Sequence, residues 1–525
     1  METPQRPGQT PSEFATLDDS AFVELIERRS EIALCLARKM ISGRDVSPMF
    51  TRPLLGELLH QSTELEEMLD AYGAQENRRW RSVRSTIAAA KLFANVNYVL
   101  LHMRHAIPVY RLLDVEGDFE AATDEARAFT GRVLRRIAER FLAQAGELGV
   151  RVPPVDECTR DYSERLPPGR LVDDYRGKKD VDAGTTVTYL ATAFLRQAAG
   201  SELLHIADRV DPSRYGECVP TSVSEERVRR LQRQFHNLQS LYDTFVSDTN
   251  TEHLNSDLPV LRGHVSVIFH LLETATEFTH YYERHVMDQG PADADQSERI
   301  VDGDELLHLL MRYSLLYAGR YLARARDLCQ DMLKRYAEVG RIEVPGPRYR
   351  GFHVRPSTLV AKVVHHYGSD VQMEIEGEAF NAASPMDIFR ANERINRQKR
   401  TWLMTEVCGL ACIKAADFAE DLVQAVRRVV VTLAEHGKVV CYQRPLPIEP
   451  PEPREENQTP MQYVLDEVKR LQATGVIDIE SEIRVAFVGD KRVLNDLRLL
   501  ADCGYGEDNF GNNMPLPEEI SYLRQ

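Results

Sequence analysis

Seven consecutive residues, Gly351-Phe352-His353-Val354-Arg355-Pro356-Ser357, combine a histidine, an arginine and two backbone-shaping residues at the start of an apolar-periodic helix. Pro356 fits the first helical turn, where a missing N–H costs nothing. Gly351 supplies the tight path by which an extended chain turns into that helix. His353 is therefore predicted at a helix mouth, beside backbone N–H groups that lack partners within the helix. Such an end carries about half a positive charge and attracts anions. The amides of Val354 and Arg355, with the Arg355 guanidinium, would surround a phosphate dianion. A positive field disfavours the protonated ring, and a neutral imidazole nitrogen is a nucleophile able to accept a phosphoryl group.

These residues match every fixed position of G-x-H-x-R-P-[SA], the motif that opens the first helix of the HPr family. HPr proteins are the histidine-containing phosphocarriers of the phosphoenolpyruvate:sugar phosphotransferase system. The chain resembles that family over residues 341–440, about a fifth of its length. Gly368-Ser369-Asp370 before Val371–Ile375, and Glu376-Gly377-Glu378, fall where the family has its second and third strands. The resemblance implies an α+β open-faced sandwich, with four antiparallel strands and three helices on one face. It implies phosphorylation of the His353 δ nitrogen by an enzyme I-like donor, with Arg355 holding the phosphate. Transfer to an enzyme IIA-like acceptor follows, or sensing of the phosphotransferase state in the regulation of sugar transport, with no cofactor. Gly351, Pro356 and Ser357 shape the motif.

Ser384 falls where the family has a second, regulatory serine, which makes it a candidate phosphosite. Ser384-Pro385-Met386-Asp387 is also a good helix start, and capping explains the serine without modification. Helix two carries Arg390, Arg394, Arg397, Lys399 and Arg400 beside the family's docking face. That run reads as a solvated face; the sharper alternative is docking onto an acidic partner, or onto the acidic remainder of this chain. The large helical region is unlike the usual fusion partners of the family. A second reading therefore stands: a helical interaction scaffold whose HPr-like module docks without being phosphorylated.

Other groups that could do chemistry are less ordered. Glu-x-x-His recurs at Glu57–His60, Glu202–His205, Glu277–His280 and Glu305–His308, a spacing used by carboxylate-bridged metal bundles. Three copies read Glu-Leu-Leu-His, however, and burying the leucines turns Glu and His outward. No metal site is predicted. Cys35, Cys158, Cys218, Cys329, Cys408, Cys412, Cys441 and Cys503 are scattered, without C-x-x-C pairs. They read as small buried side chains rather than a disulfide framework or zinc ribbon.

These residues must be positioned by a 525-residue chain with 65 Lys and Arg against 81 Asp and Glu, net charge −16. That balance argues against a nucleic-acid-coating protein. No stretch of roughly 20 apolar residues spans a membrane, and the N-terminus lacks a secretory signal, so the expectation is a cytoplasmic protein in a reducing compartment. Residues 1–17 read as a disordered tail and 18–340 as an all-helical bundle, with helical periodicity over 54–72, 79–113, 119–145, 186–209, 225–247, 258–287 and 304–339. Residues 341–442 carry 14 Lys/Arg against 12 Asp/Glu and form the HPr-like module. Pro345 and Pro347 shorten its first strand to an edge. Helix two covers 385–400, an extended run 402–407, and a third helix 415–436. Residues 443–459, rich in Pro and Glu, read as a stiff linker. Residues 460–525 read as a small α+β tail with nothing catalytic.

Overall fold

The computed structural model describes residues 16–42, 49–164, 171–172, 182–287, 300–410, 421–450, 459–479 and 483–524. The tail 1–15, the 165–170 Pro/Gly turn, Cys412 and 451–458 of the expected linker lie outside them. The chain divides into two compact units. One comprises residues up to Val181 with Ser201–Ala325; the other comprises Asp182–Gly200 with Arg326–Gln525.

The first unit is helical. Its helices are α1 (Asp19–Ser42), α2 (Arg52–Ala71), α3 (Arg81–Ala106) and α4 (Phe119–Leu148). The next helix in the chain, α5 (Ala183–Ala199), belongs to the second unit, although its periodicity places it in the bundle. The first unit continues with α6 (Glu225–Phe245), α7 (Asp257–Tyr281) and α8 (Gly303–His308). A π-helical stretch, Leu309–Leu315, joins α8 to α9 (Leu316–Arg335), whose residues from Arg326 onward count with the second unit.

Local chemistry sets these bounds. Asp118 caps α4 by accepting from the Ala121 N–H at 2.9 Å, and Gly149 ends it at φ +77°. Helix α3 packs on α2 and α4, α1 on α2 and α4, and α7 on α3 and α6. No helix among the described residues is long and apolar enough to cross a membrane.

The cysteines differ from expectation. Cys35 on α1 and Cys158 are joined by a disulfide, and Cys408 is exposed. Bonding needs spatial proximity, which a separation of 123 residues does not reveal. A disulfide persists in oxidising surroundings, so cysteine usage no longer argues for a reducing, cytoplasmic location.

The second unit holds a four-stranded antiparallel sheet. Strands β1 (Val339–Pro345), β2 (Val371–Ile375), β3 (Glu378–Asn381) and β6 (Arg484–Asp490) lie in the order β1-β6-β2-β3. In register, Ile342 faces Phe487, Met373 faces Phe487, and Ile375 faces Glu378. Alternation puts Ile342, Val344, Val371, Met373, Ile375, Val485 and Phe487 into the core. Over the sheet lie α10 (Val354–Tyr367), α11 (Pro385–Gly409) and α14 (Lys491–Asp502). Helix α11 covers β2 and β3, α14 covers β1 and β6, and α10 packs against both helices.

The sequence reading changes here in three ways. Strand β1 is indeed an edge, but it keeps seven residues and ends at Pro345. Helix α11 does not give way to an extended run at Trp402. Leu403 and Val407, four apart, are fully buried and hold the helix to Gly409. The fourth strand and the helix after it come from 484–502, inside the segment read as a separate tail.

Between α11 and β6, the helices α12 (Leu422–Glu435) and α13 (Pro460–Ala473) and the paired strands β4 (Val439–Cys441) and β5 (Ile477–Ile479) form their own core. Val426, Val430, Leu433, Val464, Val468, Leu471 and Ile477 fill it, with Leu403 and Val407. The described part of the expected linker packs back on this core through Leu446 and Ile448. Its Glu449 N–H donates to Glu467 at 2.9 Å. A stretch held by side chains and a main-chain bond is not a free spacer.

Candidate functional site

The loop entering α10 is built around two left-handed residues, Arg350 (φ +55°) and Gly351 (φ +63°). Only glycine serves at 351, because a Cβ there would lie 2.3 Å from the Asn392 side-chain oxygen. That oxygen, on α11, accepts the Phe352 N–H at 2.8 Å. Phe352 is fully buried, edge-on to Tyr505 with centroids 5.3 Å apart. The Ser357 hydroxyl donates to the Phe352 carbonyl at 2.8 Å. Ser357 and Pro356 are buried and shape the turn, as their motif positions imply.

His353 is thereby set as the N-cap residue of α10, with extended backbone and no side-chain cap bond. Its carbonyl receives the Ser357 N–H, the first bond of the helix. Val354 is 68% exposed. The His353 side chain is partly exposed, and Tyr349 stands perpendicular to it at 5.6 Å.

The field at this ring is not the purely positive one expected. His353 Nε2 lies 2.8 Å from Glu507 Oε2, and Arg355 Nε lies 3.7 Å from the other oxygen of that carboxylate. The Glu507 side chain is only 5% exposed. Arg355 also donates to the Asn513 side-chain oxygen. The arginine is therefore held in an ion pair rather than left open at the helix mouth. Because the ring uses Nε2 toward Glu507, Nδ1 lies on its other edge.

Glu507 and Asn513 belong to the loop after α14, within the segment expected to hold nothing catalytic. They face each other across an isolated antiparallel bridge. Asp508 braces the turn by accepting from the Phe510 and Asn512 N–H groups at 2.8 and 2.9 Å. Tyr505 anchors its base through a 2.8 Å bond to the Pro345 carbonyl. The Gly/Asn-rich composition of this loop was the signal available in the sequence; the burial of Glu507 was not.

Asn392 was also missed. It sits on the buried α11 stripe Ile388, Asn392, Ile395, Lys399, Leu403, Val407, where a polar residue must find a partner. Lys399 occupies the same stripe and is not part of a solvated basic face: its ammonium bonds buried Asp478 at 2.7 Å. Arg390 and Arg394 pair with Asp387 and Glu378 at 3.1 and 2.5 Å. Ser384 caps α11, accepting from the Asp387 N–H.

The four Glu-x-x-His pairs do not converge, and no group of three His, Cys, Asp or Glu suited to a metal occurs among the described residues. The chain matches no protein-family model, no curated protein and no solved structure.

Proposed function

We propose that the second unit is an HPr-like phosphocarrier module that accepts a phosphoryl group on His353 Nδ1. The observation that carries this reading is the bond from His353 Nε2 to buried Glu507 at the N-terminus of α10. A carboxylate accepting from Nε2–H fixes the tautomer and leaves the lone pair on Nδ1. In transfer, that lone pair forms the N–P bond as the donor's bond to phosphorus breaks. No proton needs to leave the ring. The phosphorylated ring still bears Nε2–H and is formally cationic, and the Glu507 carboxylate complements that charge. The exposed start of α10 then serves the phosphoryl oxygens, and Arg355 joins it only by giving up Glu507 and Asn513.

The β1-β6-β2-β3 sheet under α10, α11 and α14 supports the open-faced sandwich that the family resemblance implies. In this reading the module runs from 339 through the loop that carries Glu507 and Asn513, with a second small core, 422–479, between its second and third helices. An enzyme I-like protein is the donor and an enzyme IIA-like protein the acceptor. Transfer needs no cofactor.

One observation favours the second reading, a docking module that is not phosphorylated: Arg355 is already engaged by Glu507 and Asn513. Incubation of the full chain with enzyme I and labelled phosphoenolpyruvate separates the two. Acid-labile label on the protein, lost in His353→Ala, is expected. Its absence with several enzyme I proteins would leave the docking module.

A further inference from the structure

A cleft of about 830 Å³ opens in the helical unit between α2, α3 and α7. Its α3 wall is one face of the helix, Arg81, Arg84, Ser85, Ala88, Lys91 and Asn95, spaced by three or four residues or their sum. The facing wall begins with Glu277 and His280 on α7. At Tyr282 the helix widens into a π turn through Val286. Both Arg284 and His285, in that turn, line the cleft. π turns insert an extra residue into a helix and recur at binding sites.

The lining mixes apolar residues such as Leu59 and Leu92 with charged ones, and its cations outnumber its acids: Arg81, Arg84, Lys91 and Arg284 against Glu66 and Glu277. This contrasts with a chain of net charge −16. Arg84 and Lys91 are held in place by Glu66, with Arg84 also bonded to Asp70 at 2.7 Å. Arg284 is only loosely engaged, 3.8 Å from a Glu225 carboxylate that His280 and Arg229 already bond at 2.8 and 2.7 Å. Arg81 makes no ion pair among the described residues, and it stands exposed at the start of α3. Burial pushes the Glu277 carboxyl up from its ordinary range. Ser85, Ala88 and Ala89 are small and leave the volume open.

We infer that this cleft binds a small phosphorylated anion, with Arg81 and Arg284 as the guanidinium contacts from its two walls. The volume falls within the range of small-molecule sites, and the excess of cations suits an anionic ligand. Planar guanidinium groups bond phosphoryl oxygens in pairs. The assignment uses nothing from the His353 site and stands or falls separately from it.

Calorimetry on the full-length protein tests the inference, with pyrophosphate as probe and inorganic phosphate and citrate as comparison anions. Pyrophosphate is expected to bind more tightly than phosphate or citrate. Arg81→Glu and Arg284→Glu should each weaken it at least about tenfold, because both side chains are peripheral to the core. Arg151→Glu, the same charge change outside the cleft, should leave binding intact. No heat with pyrophosphate at about 10 mM, citrate binding as tightly as pyrophosphate, or equal weakening in all three variants would overturn the assignment.

Discussion

The two ends of α10 carry the same side chain in opposite surroundings. At the N-terminus, His353 is partly exposed and bonds a buried carboxylate through Nε2. Thirteen residues on, His366 is half-buried and stacked on Tyr522 with centroids 3.9 Å apart, and its Nε2, closed off from solvent, has no hydrogen-bond partner. Burial, reinforced by nearby Arg196, pulls the His366 pKa down to about 4. Below the stack, Tyr367 and Tyr522 both donate to Asp496 at 2.8 Å. Burial raises the Asp496 pKa against the pull of those two hydrogen bonds. One ring is thus held by a carboxylate at its Nε2, while the other lies against an aromatic wall with its Nε2 unpartnered.

The sharpest way to break this comparison is His353→Ala. It should abolish acid-labile phosphorylation entirely, whereas His366→Phe should leave it in place; equal labelling of both variants would remove the distinction. Next in size is Gly351→Ala. The left-handed backbone and the 2.3 Å approach of Asn392 forbid a methyl group. A loss of about 3 kcal/mol in urea unfolding is expected, with phosphorylation impaired as well.

The His366 end is tested by pH. The folded pKa, about 4, lies below the unfolded value of 6.5. The unfolded chain therefore binds the proton first, and His366 lowers stability as pH falls through that window. Between pH 7 and pH 5 its contribution should drop by about 2 kcal/mol. His366→Phe should remove that part of the pH dependence, seen as a flatter midpoint between the two pH values. The smallest effect expected is that of Glu507→Gln. It keeps an acceptor for Nε2–H but loses the charge that complements the phosphorylated ring. Phosphoryl acceptance should slow about tenfold, the worth of exchanging a charged for a neutral hydrogen bond. An unchanged rate would mean that Glu507 only anchors the loop.

Much of the lower level was legible along the chain. Apolar spacing located α2 to α4 and α6 to α9, though it carried α3 seven residues past Ala106, because a helix face repeats every three or four positions. The Pro356 and Gly351 pair located the α10 entrance, since few residues tolerate those backbone positions. The strand pair β2–β3 was readable from alternation around Gly377, which sits at φ +82°. Its neighbour β6 was not assigned to that sheet. Val485 and Phe487 show a strand's alternation but nothing in it names β1 and β2 as partners.

The sequence by itself determined the helices, the turn that presents His353, and the placing of Arg355 two residues beyond it, because these depend on neighbours a few residues away. Tertiary structure alone decided that β6 completes the sheet and that Cys35 meets Cys158. It alone brought Glu507, 154 residues downstream, to the His353 ring. Such pairings are chosen by burial and charge across the folded chain, and local periodicity carries no record of which distant group will arrive.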